Sequence, residues 1–131
     1  MTLTQIRGLR YQRKVEKEVS RLFPGLVSIG PWFRYKVEDK VRLCQPDLIL
    51  KFDGHICIVE IKYTTTAKAW QQLNEVYRPV VEKAFRQQVT MALITRMFDP
   101  AVKFPVEVTL LHDLESVEAW KGPNLGVVSW K

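Results

Sequence analysis

Asp47, Glu60 and Lys62 are the residues whose types and spacing suggest joint chemistry. Two apolar runs flank Asp53-Gly54, and Asp-Gly between such runs is the strongest short-range signal for a β-hairpin. A two-residue loop pairs Phe52 with His55, and each step outward keeps the sum of the paired numbers constant, so Asp47 falls opposite Glu60. A four-residue loop preserves that pairing, whereas a three-residue loop offsets it. Side chains alternate along a strand, so Asp47, Ile49 and Lys51 share a face with Ile56, Ile58, Glu60 and Lys62. Leu48, Leu50, Phe52, Cys57, Val59 and Ile61 form the other face, which is apolar except at His55 and reads as a core face.

Two opposed carboxylates repel, and burying either one unpaired costs several kcal/mol, so such a pair calls for compensation. Mg²⁺ would supply it: a hard cation that prefers oxygen and takes one or two protein carboxylates, with Mn²⁺ able to substitute. Lys62, on the face of Glu60, could orient or help deprotonate an attacking water and balance charge building on a phosphate. The bland alternative has Asp47 closing a turn after Pro46 while Glu60 and Lys62 form a surface ion pair. A bare Glu-x-Lys fits that alternative. The full pattern is much rarer: Pro-Asp, twelve residues of strand, turn and strand, then Glu-Ile-Lys.

The elements that must hold these residues follow from periodicity. Leu9, Val15, Val19, Leu22 and Phe23 predict an amphipathic helix over 5–23 that stops at Pro24-Gly25. Residues 26–29 and 32–37, closed by Glu38-Asp39-Lys40, predict one or two strands and a turn, with Trp32, Phe33 and Tyr35 as core. The hairpin strands cover 47–52 and 55–62. Thr64, Thr65 and Thr66 lead into a helix over 67–88, where Pro79 predicts a kink or break near Arg78. Strands are expected over 89–95 and 106–111. The tail, with Gly122-Pro123-Asn124 before LGVVSW, is ambiguous. No repeat or linker divides the chain, so residues 1–131 are expected to form one mixed α/β domain.

The net charge of +6 suits a polyanionic partner. Arg7, Arg10, Arg13 and Lys14 on the first helix, with Lys68 and Arg78 on the second, are candidate contacts to a DNA backbone, although a solvated helix face would look alike. Lys83 and Arg86 extend that set. Cys44 and Cys57 lack CxxC spacing, and His55 and His112 lack a ligand partner at zinc spacing, so no zinc site is expected. No apolar stretch approaches the roughly 20 residues of a membrane span, and the N-terminus lacks a secretory apolar centre. A soluble chain in a reducing cytoplasm is the expectation, with no membrane partner.

Pro46-Asp47 and Glu60-Ile61-Lys62 resemble the signature of the PD-(D/E)xK nuclease superfamily, which includes restriction endonucleases, RecB-like exonuclease domains and archaeal Holliday-junction resolvases. The resemblance spans residues 7–95 and is nearest to RecB-like and small phage or prophage nucleases. It implies a restriction-endonuclease-like αβββαβ core, Mg²⁺-dependent hydrolysis of DNA, and a role in phage or bacterial recombination, repair or processing. The compartment it implies is a bacterial or phage-infected cell, and the homodimer remains an option because several such nucleases pair to cut two strands. Carried onto this chain, it puts catalysis on Asp47, Glu60 and Lys62 and the metal on Asp47, Glu60, Ile61 and a helix acid. RecB-like members have a glutamine and a tyrosine four apart after the lysine; here Gln72 and Tyr77 are five apart. Counting four residues from Gly8, where resolvase-like members have glutamate, gives Gln12, so Glu16, one turn on, is the candidate replacement. Two other readings stand beside this one. A nuclease-fold module could bind nucleic acid or a partner nuclease without cutting, or the chain could be a small structural protein with solvated hairpin charges.

Overall fold

The computed structural model describes residues 1–120 and 124–131, so the Gly122-Pro123 pair of the tail lies outside the described residues. The first helix, α1 (Leu3–Leu22), starts at a capping box: Gln5 N–H donates to the Thr2 hydroxyl and Thr2 N–H to the Gln5 side-chain oxygen. One stripe of it, Tyr11, Val15 and Val19, is buried with Phe23 against Leu48, Leu50, Cys57, Val59 and Ile61. It ends where Phe23 N–H closes onto Val19 and Gly25 takes a positive φ.

A six-stranded sheet follows, built from β1 (Val27–Ile29), β4 (Leu48–Phe52), β5 (His55–Thr64), β6 (Gln88–Met97), β8 (Leu125–Ser129) and β7 (Val108–Leu111), in that spatial order. The pairs β1–β4 and β4–β5 are antiparallel, and β5–β6, β6–β8 and β8–β7 are parallel. The tail therefore forms an interior strand, β8. A separate antiparallel hairpin joins β2 (Phe33–Val37) to β3 (Lys40–Cys44). Sequence periodicity missed β3, because its Val41 and Leu43 are exposed while the intervening Arg42 breaks any apolar run. Trp32, expected in the core, lies outside β2 with 65% of its surface exposed.

The single helix expected over 67–88 is three segments: α2 (Ala67–Gln72), a π-turn (Leu73–Tyr77) and α3 (Arg78–Phe85). In the π-turn Arg78 N–H reaches back five residues to Leu73 O. Pro79, which has no N–H to give, consequently lands in the first turn of a fresh helical segment, where none is needed. Arg86 then takes a left-handed conformation and stops α3 before Gln88 enters β6. These segments cover the second face of the sheet. Ile49, Ile56 and Ile58 are buried there with Leu73, Tyr77 and Val81, so both faces of the β4–β5 hairpin are core. A short α4 (Ser116–Ala119), not anticipated from the sequence, packs with Leu114 and Trp120 on the α1 side. The outcome is a mixed α/β architecture with a mixed central sheet flanked by helices. Among the described residues no helix is long and apolar enough to cross a membrane.

Candidate functional site

The hairpin has the register expected from its turn: Phe52 pairs with His55 and Leu48 with Val59, so the next position outward sets Asp47 against Glu60. Asp47 lies one residue before β4, and side chains take over where the ladder stops. Asp47 N–H donates to Glu60 Oε1 at 3.1 Å, and Ile61 N–H donates to Asp47 Oδ2 at 2.8 Å. Each acid is thus fixed by a main-chain group from the neighbourhood of the other. The approach to Asp47 is fixed as well, because Gly30 N–H donates to Asp47 O at 2.8 Å and the Tyr77 hydroxyl donates to Gln45 O at 3.4 Å. Pro46 between them is buried.

Two oxygens are left less engaged. Asp47 Oδ1 accepts a long 3.4 Å bond from Gln12 Nε2, and Glu60 Oε2 stands 3.9 Å from Lys62 Nζ. Gln12 Nε2 also donates to Glu16 Oε1 at 3.0 Å. The α1 glutamine therefore stands between the hairpin acids and Glu16, and Glu16 joins the site through it. Among the described residues no group of three or more His, Cys, Asp or Glu side chains is gathered as a metal cage.

Burial makes these acids unusual. Glu60 is 2% exposed, and its carboxyl is pushed up to about 7, first by desolvation and then by the charge of Asp47. Asp47 is raised by burial and secondarily by Glu16, against the opposing pull of Ile61 N–H and Lys62. The two carboxyls act on each other's titration, and the charge of Asp47 favours the protonated form of Glu60. The Tyr77 hydroxyl is raised by its own burial and by both acids, which keeps it neutral and able to donate. A hard divalent cation suits such a donor set: a buried and a half-buried carboxylate, each with one oxygen held only by a long contact, and an ammonium group half exposed at the rim.

The remaining candidates are dispersed. Ile61 buries its side chain on the α1 side and contributes its N–H to Asp47. Gln72 is exposed and hydrogen-bonded to neither acid among the described residues, while Tyr77 is buried and holds the connection between β3 and Asp47. Arg7, Arg10, Arg13 and Lys14 are exposed on α1, and Lys68 on α2. Arg78 is partly buried, with Nε donating to Glu82 at 2.8 Å, so it is already committed within α3. His55 is buried and stacked on Phe52 with ring centres 4.9 Å apart, and His112 is exposed. Sequence reasoning overlooked Gly30 and Gln45, which act through main-chain groups that carry no residue-type signal. No protein-family model matches the chain, and no curated protein sequence matches it.

Proposed function

We propose that the protein is a Mg²⁺-dependent DNA nuclease of the PD-(D/E)xK kind, with the observation that carries the reading being the pairing of half-buried Asp47 with buried Glu60, Lys62 beside them. Asp47 and Glu60 would hold Mg²⁺ or Mn²⁺, with Glu60 giving up its proton on loading. When bound, the cation polarises a phosphoryl oxygen and activates water for attack on the phosphodiester. Lys62 presents its ammonium group at the rim, where it offsets charge developing on the phosphate. Gln12 orients Asp47 through Oδ1. Exposed Arg7, Arg10, Arg13, Lys14 and Lys68 hold the DNA backbone, contacts that position a strand without reading its bases. The order of α1, β1, β4, β5, α2–α3 and β6 supports a restriction-endonuclease-like core, with the β2–β3 hairpin inserted between β1 and β4.

The test is metal-dependent cleavage of single-stranded, duplex and branched DNA. A folded Asp47→Ala variant should lose at least about a hundredfold in rate, the scale of removing one preorganised charge-stabilising group. A variant that cuts as fast as the parent removes the proposal.

One observation favours a second reading, a nuclease-fold module that binds nucleic acid or a partner nuclease without cutting. The α1 position nearest Asp47 carries the neutral Gln12 amide. That module would bind DNA in a salt-sensitive way with no cleavage, and titration with Mg²⁺ or Mn²⁺ would release no heat that depends on Asp47 and Glu60.

A further inference from the structure

A cavity of about 560 Å³ opens on the α1 side at the ends of β5 and β6. Five cations face it: Arg7, Arg10 and Lys14 from α1, Arg96 from β6, and Lys131. No Asp or Glu lines it, and among the described residues none of the five is ion-paired with an acidic side chain. The α1 cations recur three and four residues apart and so share one side of the helix. Arg96 is delivered by the parallel register that pairs Lys62 with Thr95 and Thr64 with Met97.

The walls that orient these cations are aromatic. Tyr11 and Tyr63 meet edge to face at 5.8 Å. The Tyr11 hydroxyl donates to Trp130 O at 2.6 Å. Arg96 donates to the Tyr63 hydroxyl and lies 5.3 Å from the centre of its ring. Lys14 lies 5.2 Å from the Trp130 ring centre and donates to Lys131 O at 3.1 Å. Like charges gathered around one cavity repel, and an anion relieves that repulsion. A phosphodiester carries a single charge and is suited by a stripe of cations. Five cations around one cavity better match a phosphate monoester, which carries nearly two charges and offers three acceptor oxygens to arginine forks.

The cavity and the candidate site draw on the same two elements: on α1 Tyr11 precedes Gln12, which contacts Asp47, and on β5 Tyr63 follows Lys62 and points to the opposite face of the sheet. We infer that this cavity takes the terminal phosphate of a nucleic-acid strand, so that the strand end sets which phosphodiester reaches Asp47 and Glu60. The second half of that statement rests on the nuclease reading; the binding of the phosphate does not.

The experiment measures binding in EDTA by fluorescence anisotropy. Its probes are three short single-stranded oligonucleotides bearing a 5′-phosphate, a 3′-phosphate or only hydroxyl ends, with inorganic phosphate as competitor. One phosphorylated end should bind at least about tenfold more tightly than the hydroxyl-ended strand, the scale of one charge-assisted hydrogen bond. Inorganic phosphate should erase the difference. Arg10→Gln and Arg96→Gln, both at exposed positions, should each remove most of the preference, whereas Lys103→Gln removes an exposed charge that does not line the cavity and should leave it intact. Equal affinity for all three strands overturns the inference, as does a preference that survives Arg96→Gln or vanishes equally with Lys103→Gln. Because no metal is present and no cutting is read, the result stands apart from the Asp47→Ala cleavage assay.

Discussion

Glu60 is held where a glutamate is least at ease, on an inner strand with another acid across from it. Its carboxyl titrates near 7 in the folded chain, against an ordinary value of 4.5. Between those values the folded chain binds more protons than the unfolded one, so stability falls as pH rises through the window. Thermal unfolding of the metal-free protein should therefore show a midpoint that drops between about pH 5 and pH 8. Glu60→Gln keeps an oxygen for Asp47 N–H but removes the buried charge. It should flatten that profile and raise stability at pH 8 by up to about 3 kcal/mol, the free-energy equivalent of the shift. It should also abolish metal-dependent cutting, so that stability and activity move in opposite directions. A variant as stable as the parent at pH 8, with the same pH profile, would contradict the charge-burial account.

At the scale of elements, two local devices shape the surroundings of the site. The π-turn before α3 lets Pro79 sit in the first turn of a new segment, and the same turn carries Tyr77 to the connection before Asp47. The β2–β3 hairpin turns at Glu38 and Asp39, both with positive φ of 50° and 65°. Left-handed backbone costs an ordinary L-residue roughly 1–2 kcal/mol, and two-residue hairpin turns favour Asn-Gly for that reason. Replacing Glu38-Asp39 by Asn-Gly should raise stability by about 1 kcal/mol, visible as a higher unfolding midpoint of a few degrees. The hairpin is tied to α3 by Phe33 on Phe85, with ring centres 6.1 Å apart, so that gain should be felt beyond the turn. A lowered midpoint would show that the turn is not strained.

For the whole molecule the decisive strand is the last one. β8 is buried between β6 and β7, parallel to both, and just beyond it Trp130 N–H donates to Thr95 O while Trp130 O accepts from Tyr11. Removing residues 125–131 would bare the edges of two strands, expose Leu93, Ile94 and Trp120, and free the α1 end of the cationic cavity. The truncated chain should lose its cooperative unfolding transition, as measured by circular dichroism or calorimetry. A truncation that still melts sharply would mean that β8 is an accessory strand.

Much of the candidate site is legible in the amino-acid sequence, because a tight hairpin is a local object. The Asp-Gly turn and strict alternation place Asp47 against Glu60 and Lys62 on the same face, with no distant residue consulted. The amphipathic stripe of α1 is legible for the same reason, since its period is intrinsic to the helix. Other features come only from tertiary structure: β8 inserted beside β6, Gln12 set between Asp47 and Glu16, and Arg96 brought to Tyr63. The physical reason is shared. Parallel strands and helix–sheet contacts join segments far apart in sequence, with no turn to set the register, and packing against the core decides which residues meet. Sequence alone determined which acids face each other; tertiary packing decided that Glu60 is buried, that a glutamine rather than a third acid reaches Asp47, and that five cations share one cavity.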